Sequence, residues 1–316
     1  MIARKGLPAV SCPPALGGLP VSLSQSGHQR LWYWRGWPVR YWFHPGPEGS
    51  KELSPLVFIH GFGANLNQWR YNLPVLSQDR SVYALDLLGF GDTAKASTLY
   101  AADLWAAQVA DFIDQVVGRS VLLVGHSLGA LVALTVAHHH PEWVDRLAMV
   151  TLPLAAARED LVPGWVSHLA LRVEACMANP LLLRPLFSLV RRPLFLRWAL
   201  RGIYLNPDRV DDELLNLFAL PPQQRGAARA LCYLVRSRSQ ANFSVSIKTM
   251  IRELSQPALL LWGEQDRVVP IGQALGLEQL SPHLVSQSLR NAGHCLYDEY
   301  PDLFNQLLLQ WAEPKP

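Results

Sequence analysis

The sequence predicts an α/β fold, a mostly parallel central sheet flanked by helices and carrying a helical lid insertion. Short uninterrupted apolar runs recur along the chain, as in PLVFIH, SVYALDLLG, SVLLVGHS, RLAMVTL and ALLLWGE, and such runs mark strands buried on both faces. Helix-length amphipathic segments, such as TLYAADLWAAQVADFIDQVV over 98–117, lie between them. That alternation requires parallel strands joined by right-handed crossovers.

The elements follow in order. Residues 1–30 read as a flexible extension, because Pro8, Pro13, Pro14 and Pro20 break the apolar stretch a signal peptide needs. No acidic residue precedes Glu48, so an organelle transit segment is the competing reading. Residues 31–44, LWYWRGWPVRYWFH, alternate bulky apolar and polar groups around a Gly36-Trp37-Pro38 break and predict a β-hairpin. The α/β pattern fills 31–151 and returns over 257–316, ending in an amphipathic helix, PDLFNQLLLQWAE. Between them, 152–256 shows no strand pattern, only Leu-, Phe- and Arg-rich helical pieces broken by proline, and reads as a lid.

Composition narrows the function. Of 316 residues 50% are hydrophobic and 17% charged, which excludes a disordered chain. A net charge of +3 without a basic run argues against nucleic-acid binding. Cys12, Cys176, Cys232 and Cys295 lack paired spacing, which suits a reducing, cytoplasmic setting and a monomer or weak oligomer. Apolar windows near 181–205 are interrupted by arginines and prolines, so no transmembrane helix is expected.

The chemistry concentrates in three loops that follow predicted strands. In SVLLVGHSLGALVALTVAHHH a buried strand runs into Gly125-His126-Ser127-Leu128-Gly129 and directly into a helix, the context of a nucleophile elbow. A serine hydroxyl needs a base and an acid that orients that base. WGEQDRVVP supplies Asp266 and NAGHCLYDEYP supplies His294, in the order Ser, Asp, His. Asp266 has a competing reading as a turn cap ahead of Val268 and Pro270. His60-Gly61-Phe62-Gly63, straight after a strand, predicts an oxyanion loop using the Phe62 and Leu128 amides. Substrate contact is expected from His60, Gly61, Gly63 and His126, and from Trp165, Phe187 and Trp198 in the lid. Asp86 in ALDLLGFGDT is read as tying down its glycine loop, and Cys295 as a small packing residue. His138, His139 and His140 suit a helix C-terminus, and no metal or nucleotide-cofactor motif is present.

Taken together, HGFGAN, GFGD, GHSLGA, WGEQDRVVP and AGH resemble the α/β-hydrolase superfamily from about Trp32 to Trp311. WYWRGWPVRYWFHPG, HGFGANLNQWRYNLPVL and DLLGFGDT are similar to the branch of chlorophyll dephytylases and pheophytinase-like hydrolases. That resemblance implies cleavage of the phytyl ester of chlorophyll-type pigments at a thylakoid surface. His126 departs from the asparagine of several members and matches general lipases and esterases. Carbon–carbon hydrolases, thioesterases and acyltransferases share the triad, so they remain alternatives, with a non-enzymatic binding protein on this fold behind them. A carboxylate nucleophile, needed by epoxide hydrolases and haloalkane dehalogenases, is absent.

The lid carries the charge. Residues 161–205 hold six arginines, among them Arg191, Arg192, Arg197 and Arg201, against one acid, Glu174. Arginines interleaved with Leu, Phe and Trp suit an anionic membrane interface. A lid that only covers the site, with solvated arginines, is the other reading. Either way an apolar roof favours a hydrophobic ester.

Overall fold

The computed structural model describes residues 9–11, 23–154, 188, 192–238 and 243–313. Among these, nine strands form one sheet: β1 (Ala9–Ser11), β2 (His28–Trp34), β3 (Trp37–His44), β4 (Leu56–Ile59), β5 (Val82–Leu85), β6 (Val121–His126), β7 (Val144–Val150), β8 (Ala258–Gly263) and β9 (Leu284–Arg290). Their order is β1-β9-β8-β7-β6-β4-β5-β3-β2. β2 and β3 pair antiparallel, as do β3 and β5, and every other pairing is parallel. The three-residue β1 extends an eight-stranded sheet at one edge.

Each apolar run splits between two cores because successive side chains point to opposite faces. In β4, Val57 and Ile59 join Trp105, Val109 and Phe112 of helix α1 (Ala102–Phe112) and Leu131 of α2 (Leu128–His139). Leu56 and Phe58 pack on the other face with Trp69, Leu73, Phe304 and Leu308. Helix α2 is buried from Leu128 to Ala137, which explains its all-round apolar sequence.

Several local details differ from the sequence pattern. The hairpin turns at Arg35 (φ 48°) and Gly36 (φ 82°), both left-handed, as a two-residue turn of the primed type requires. Trp37 and Pro38 therefore already belong to β3. Pro38 is tolerated because β3 pairs with β5 only from Tyr41 to His44. The helix expected over 98–117 closes as α1 followed by a π-turn, Ile113–Val117, that ends on left-handed Gly118. Within residues 1–30, where the sequence suggests a flexible extension, β1 pairs with β9 and the Leu23 carbonyl accepts the Trp42 indole N–H at 3.0 Å.

Between β7 and β8 the described residues form helices α3 (Pro193–Ile203), α4 (Asp212–Ala219), α5 (Ala227–Arg238) and α6 (Ile247–Arg252). Leu200, Tyr204, Val210 and Leu214 pack into the Phe58 core. Ile247, Met250 and Ile251 of α6 join the α1–α2 core instead, and Gln256 Nε2 donates to the Ala137 carbonyl at the end of α2. The end of the 152–256 stretch is thus packed as part of the α/β body.

Strand order reverses around β4, with β5 on one side and β6 on the other. The connections that leave β4 and β6 run in opposite directions from there, and the carboxyl edge at such a point is the usual ligand position in open α/β sheets. The loop after β5 is wrapped around a buried carboxylate: Asp86 accepts the amides of Leu66 and Asp92 and the Arg40 Nε–H, each at 2.7 Å. His60 Nε2 accepts the Leu87 amide at 3.0 Å and joins this loop to the one after β4. Asp86 therefore ties down its glycine loop, as its sequence position suggests. Asp86→Ala leaves two buried amides without their acceptor and Arg40 with Asp92 as its remaining acid, and is expected to cost about 2–4 kcal/mol, read as a lowered urea midpoint with an unchanged slope.

Candidate active site

Strand β6 delivers Ser127 in a strained backbone, φ 52° and ψ −116°. A conformation of this kind costs on the order of 1–3 kcal/mol in a non-glycine residue and persists only where the surroundings impose it. The surroundings are explicit. The Ser127 amide donates to the Val150 carbonyl at 2.9 Å, and its own carbonyl accepts from Ala130 at 2.9 Å to start α2. A Cβ on Gly129 would lie 2.4 Å from the Ile59 carbonyl oxygen, and one on Gly125 2.2 Å from that of Gly129. The strand, the turn and the helix fit together only with glycine on both sides of the serine.

Asp266 and His294 lie on the loops after β8 and β9. These loops touch closely, since a Cβ on Gly263 would sit 2.3 Å from the Gly293 carbonyl oxygen, and the Gln265 amide donates to Ala292 at 3.0 Å. Asp266 divides its carboxylate. Oδ1 accepts the Val268 and Val269 amides at 2.7 and 2.8 Å, and Oδ2 meets His294 Nδ1 at 2.8 Å. The cap role and the imidazole-orienting role are filled by different oxygens of one residue. Trp262 Nε1 donates to the Val269 carbonyl and fixes the far end of the loop.

The loop after β4 is held from behind. With Nε2 occupied by the Leu87 amide, His60 donates from Nδ1 to the Gly61 carbonyl at 2.8 Å, and the Gly61 amide donates to Gln68 Oε1. The amides of Phe62 and Leu128, the expected oxyanion donors, hydrogen-bond to no described residue. The Phe62 ring packs edge-on against Phe90 and remains 46% exposed.

Two expected substrate contacts, His60 and His126, are corrected by their burial. His60 is 0% exposed with both ring nitrogens engaged by backbone, so it shapes the loop and cannot reach a substrate. His126 is buried behind Ser127, where Nε2 lies 3.1 Å from the His294 carbonyl oxygen and the ring packs edge-on against His294 and Tyr297. Trp198 on α3 is 71% exposed and packs on Phe195. Gly61 lies close to the His126 ring, and Gly63 borders open space. Trp165, Phe187 and Arg191 lie outside the described residues.

Burial lowers the proton affinity of both His60 and His126, and the neighbouring His294 lowers that of His126 further. Burial likewise raises the Cys295 thiol far above its ordinary range, which fits a packing role. Among the described residues no three His, Cys, Asp or Glu side chains gather as metal ligands would.

Sequence reasoning missed Asp298 and Glu299. Both are buried, and they brace the His294 loop against the segment after α3: Glu299 accepts the Gly293 and Leu205 amides at 2.8 and 2.7 Å, and Asp298 accepts the Tyr204 hydroxyl at 2.6 Å. Two adjacent acids inside the otherwise apolar LYDEY stretch were the available signal.

A family model for the alpha/beta hydrolase fold matches residues 54–301. The chain is 29% identical over 269 residues to the dihydrolipoyllysine-residue acetyltransferase component of the acetoin cleaving system of Pseudomonas putida, covering 85% of this chain but only 65% of that protein. It is 27% identical over 298 residues to epoxide hydrolase 3 of Xenopus tropicalis, covering 92% of this chain and 79% of that one. The crystal structure of a serine hydrolase involved in carbazole degradation superposes with a TM-score of 0.73 at 22% identity, covering 90% of this chain and 98% of that one. At that identity the likeness speaks for the fold alone.

The buried histidines set an acid dependence. Below about pH 6.5 the unfolded chain takes up protons that His60 and His126 refuse in the fold, so stability present above that pH is lost as pH falls. His126→Gln keeps an uncharged donor at the reach of Nε2 for the His294 carbonyl and is expected to flatten the acid limb by up to about 1.4 kcal/mol per pH unit. Urea unfolding between about pH 7.5 and 5 tests this, and an acid limb as steep as the parent's counts against it.

Proposed function

The chain belongs to the alpha/beta hydrolase fold family, and on that premise we propose that it is a serine hydrolase cleaving a lipophilic carboxylic ester through an acyl-enzyme. One observation carries the reading. The Asp266 carboxylate spends one oxygen on its own loop and presents the other to His294 Nδ1 at 2.8 Å, while Ser127 is held in a strained elbow at the start of α2.

Ser127 Oγ attacks the ester carbonyl while His294 Nε2 takes its proton, and Asp266 fixes the imidazole tautomer and faces the imidazolium that forms. The negative charge that develops on the carbonyl oxygen is received by the Phe62 and Leu128 amides, helped by the positive end of α2. His294 then protonates the departing alcohol. Water, deprotonated by the same imidazole, releases the acid and restores Ser127.

Apolar exposure supports a hydrophobic substrate. Phe62 and Val268 are 46% and 48% exposed on the loops that carry an oxyanion donor and the acid. The resemblance of the hairpin and glycine loops to dephytylases makes a phytyl ester of a chlorin pigment the first candidate. Helix α3 supports peripheral contact with an anionic membrane, such as a thylakoid surface in a photosynthetic organism. Leu194 (85% exposed) and Trp198 share its outer face, with Arg192 and Arg201 exposed beside them. Arg197 turns away to Asp212. No helix among the described residues is long and apolar enough to cross a membrane. Epoxide opening by a relative's route needs a carboxylate where this chain has Ser127. The acetyltransferase relative keeps acyl transfer to an acceptor other than water as the competing reading.

Hydrolysis of p-nitrophenyl esters is expected to rise with acyl length and to fall by at least about 10³-fold in Ser127→Ala. A parent protein that cleaves no ester overturns the esterase reading, whereas cleavage of short esters with detergent-dispersed chlorophyll untouched removes the phytyl ester alone. For the membrane contact, Arg192→Gln with Arg201→Gln is expected to weaken flotation on phosphatidylserine vesicles about 30-fold, at about 1 kcal/mol per basic residue. Flotation that ignores both changes removes the lid from the interface.

A further inference from the structure

The backbone around His294 is fastened on every side. The Ala292 carbonyl accepts from Gln265, the His294 carbonyl lies against His126 Nε2, and the Gly293 amide donates to Glu299 Oε2 at 2.8 Å. The other Glu299 oxygen accepts the Leu205 amide at 2.7 Å, directly after α3. The adjacent Asp298 accepts the Tyr204 hydroxyl at 2.6 Å and pairs with Arg70 at 3.3 Å. Two consecutive carboxylates therefore hold two consecutive residues of the α3 segment. There is no slack in the junction, because a Cβ on Gly293 would lie 2.9 Å from Glu299 Oε1 and 3.2 Å from Leu205.

We propose that Glu299 is a positioning residue that sets His294 through the Gly293 amide and couples that setting to the segment following α3. This rests on the reading of His294 as the base of a serine hydrolase. A carboxylate buried to 1% exposure is an expensive way to fill space. Its two oxygens give a rigid bridge between two backbone amides that a neutral side chain of the same shape does not, since a carboxamide would set an N–H against one of them. Displacement of Tyr204 and Leu205 with α3 passes through the carboxylate to Gly293 and so to the imidazole beside it. Proton transfer from Ser127 Oγ tolerates little displacement, because a misplacement of about 1 Å can cost about 10²-fold in rate.

Glu299→Gln in the full chain tests this against the parent, with Ser127→Ala marking the serine route. The expected result is a kcat for p-nitrophenyl ester cleavage lower by about 10- to 100-fold, with KM within about twofold. A second readout needs no turnover: the downfield proton resonance of the His294–Asp266 hydrogen bond, assigned by its loss in His294→Gln, is expected to broaden or vanish in Glu299→Gln. Should that variant fail to fold, Gly293→Ala keeps the carboxylate, presses on it, and is expected to lower kcat by about 3- to 10-fold. Leu205→Ala trims the side chain and keeps the amide, Leu205→Pro removes the amide as well, and a resonance shifted in Leu205→Pro beyond its place in Leu205→Ala reports the coupling. Parental kcat and a parental resonance in Glu299→Gln overturn the proposal, and a resonance in Leu205→Pro that stays where Leu205→Ala puts it overturns the coupling to α3. A parent that cleaves no ester fails the hydrolase reading instead, and the resonance then decides the role of Glu299 by itself.

Discussion

The carboxyl edge of the sheet depends on buried carboxylates that accept pairs of backbone amides. Loops leaving parallel strands carry N–H groups that the ladder no longer satisfies, and a buried amide without a partner costs as much as a lost hydrogen bond. Asp86 closes the amides of Leu66 and Asp92, Asp266 those of Val268 and Val269, and Glu299 those of Gly293 and Leu205. Each carboxylate joins its own loop to itself or to a neighbour. The loops at that edge therefore have shapes set by charge-assisted bonds, roughly twice as strong as neutral ones.

The same device gives three different outcomes because of what the remaining lone pairs meet. Asp86 meets Arg40 and is neutralised in place. Asp266 meets His294 Nδ1 and holds the imidazole in one orientation. Glu299 meets a second amide and becomes a strut. Residue type alone does not separate these roles, since all three are acids just beyond apolar strands or turns. The partner decides, and the partner comes from the tertiary fold.

This explains which parts were legible in the sequence. Buried parallel strands leave uninterrupted apolar runs, so β4 to β8 could be read directly. Ser127 and Asp266 stand out because each follows such a run in a loop containing glycine or another turn residue, and His294 because it ends the Asn291-Ala292-Gly293 turn after the polar-interrupted β9. The π-turn at Ile113–Val117 was not legible, because its residues continue the helical pattern and only Gly118 marks its end. His60 and His126 were misread as substrate contacts because a histidine beside a glycine loop looks the same whether it faces the carboxyl edge or the interior. Only the Leu87 amide on one ring and the His294 carbonyl on the other reveal the direction.

The position of α3 follows from the same edge. A helical segment inserted after β7 must return to the sheet beside the loops of β8 and β9, and it reaches them through Tyr204 and Leu205, the residues gripped by Asp298 and Glu299. Asn65, in the loop after β4, reaches the Leu217 carbonyl near the end of α4 at 2.8 Å. The helices after β7 are thus attached to two separate loops, that of His294 through the residues after α3 and that of Phe62 through α4. A displacement of these helices pulls on both loops, so the placement of the helices and the alignment of the Ser127, His294 and Phe62 loops draw on the same few hydrogen bonds.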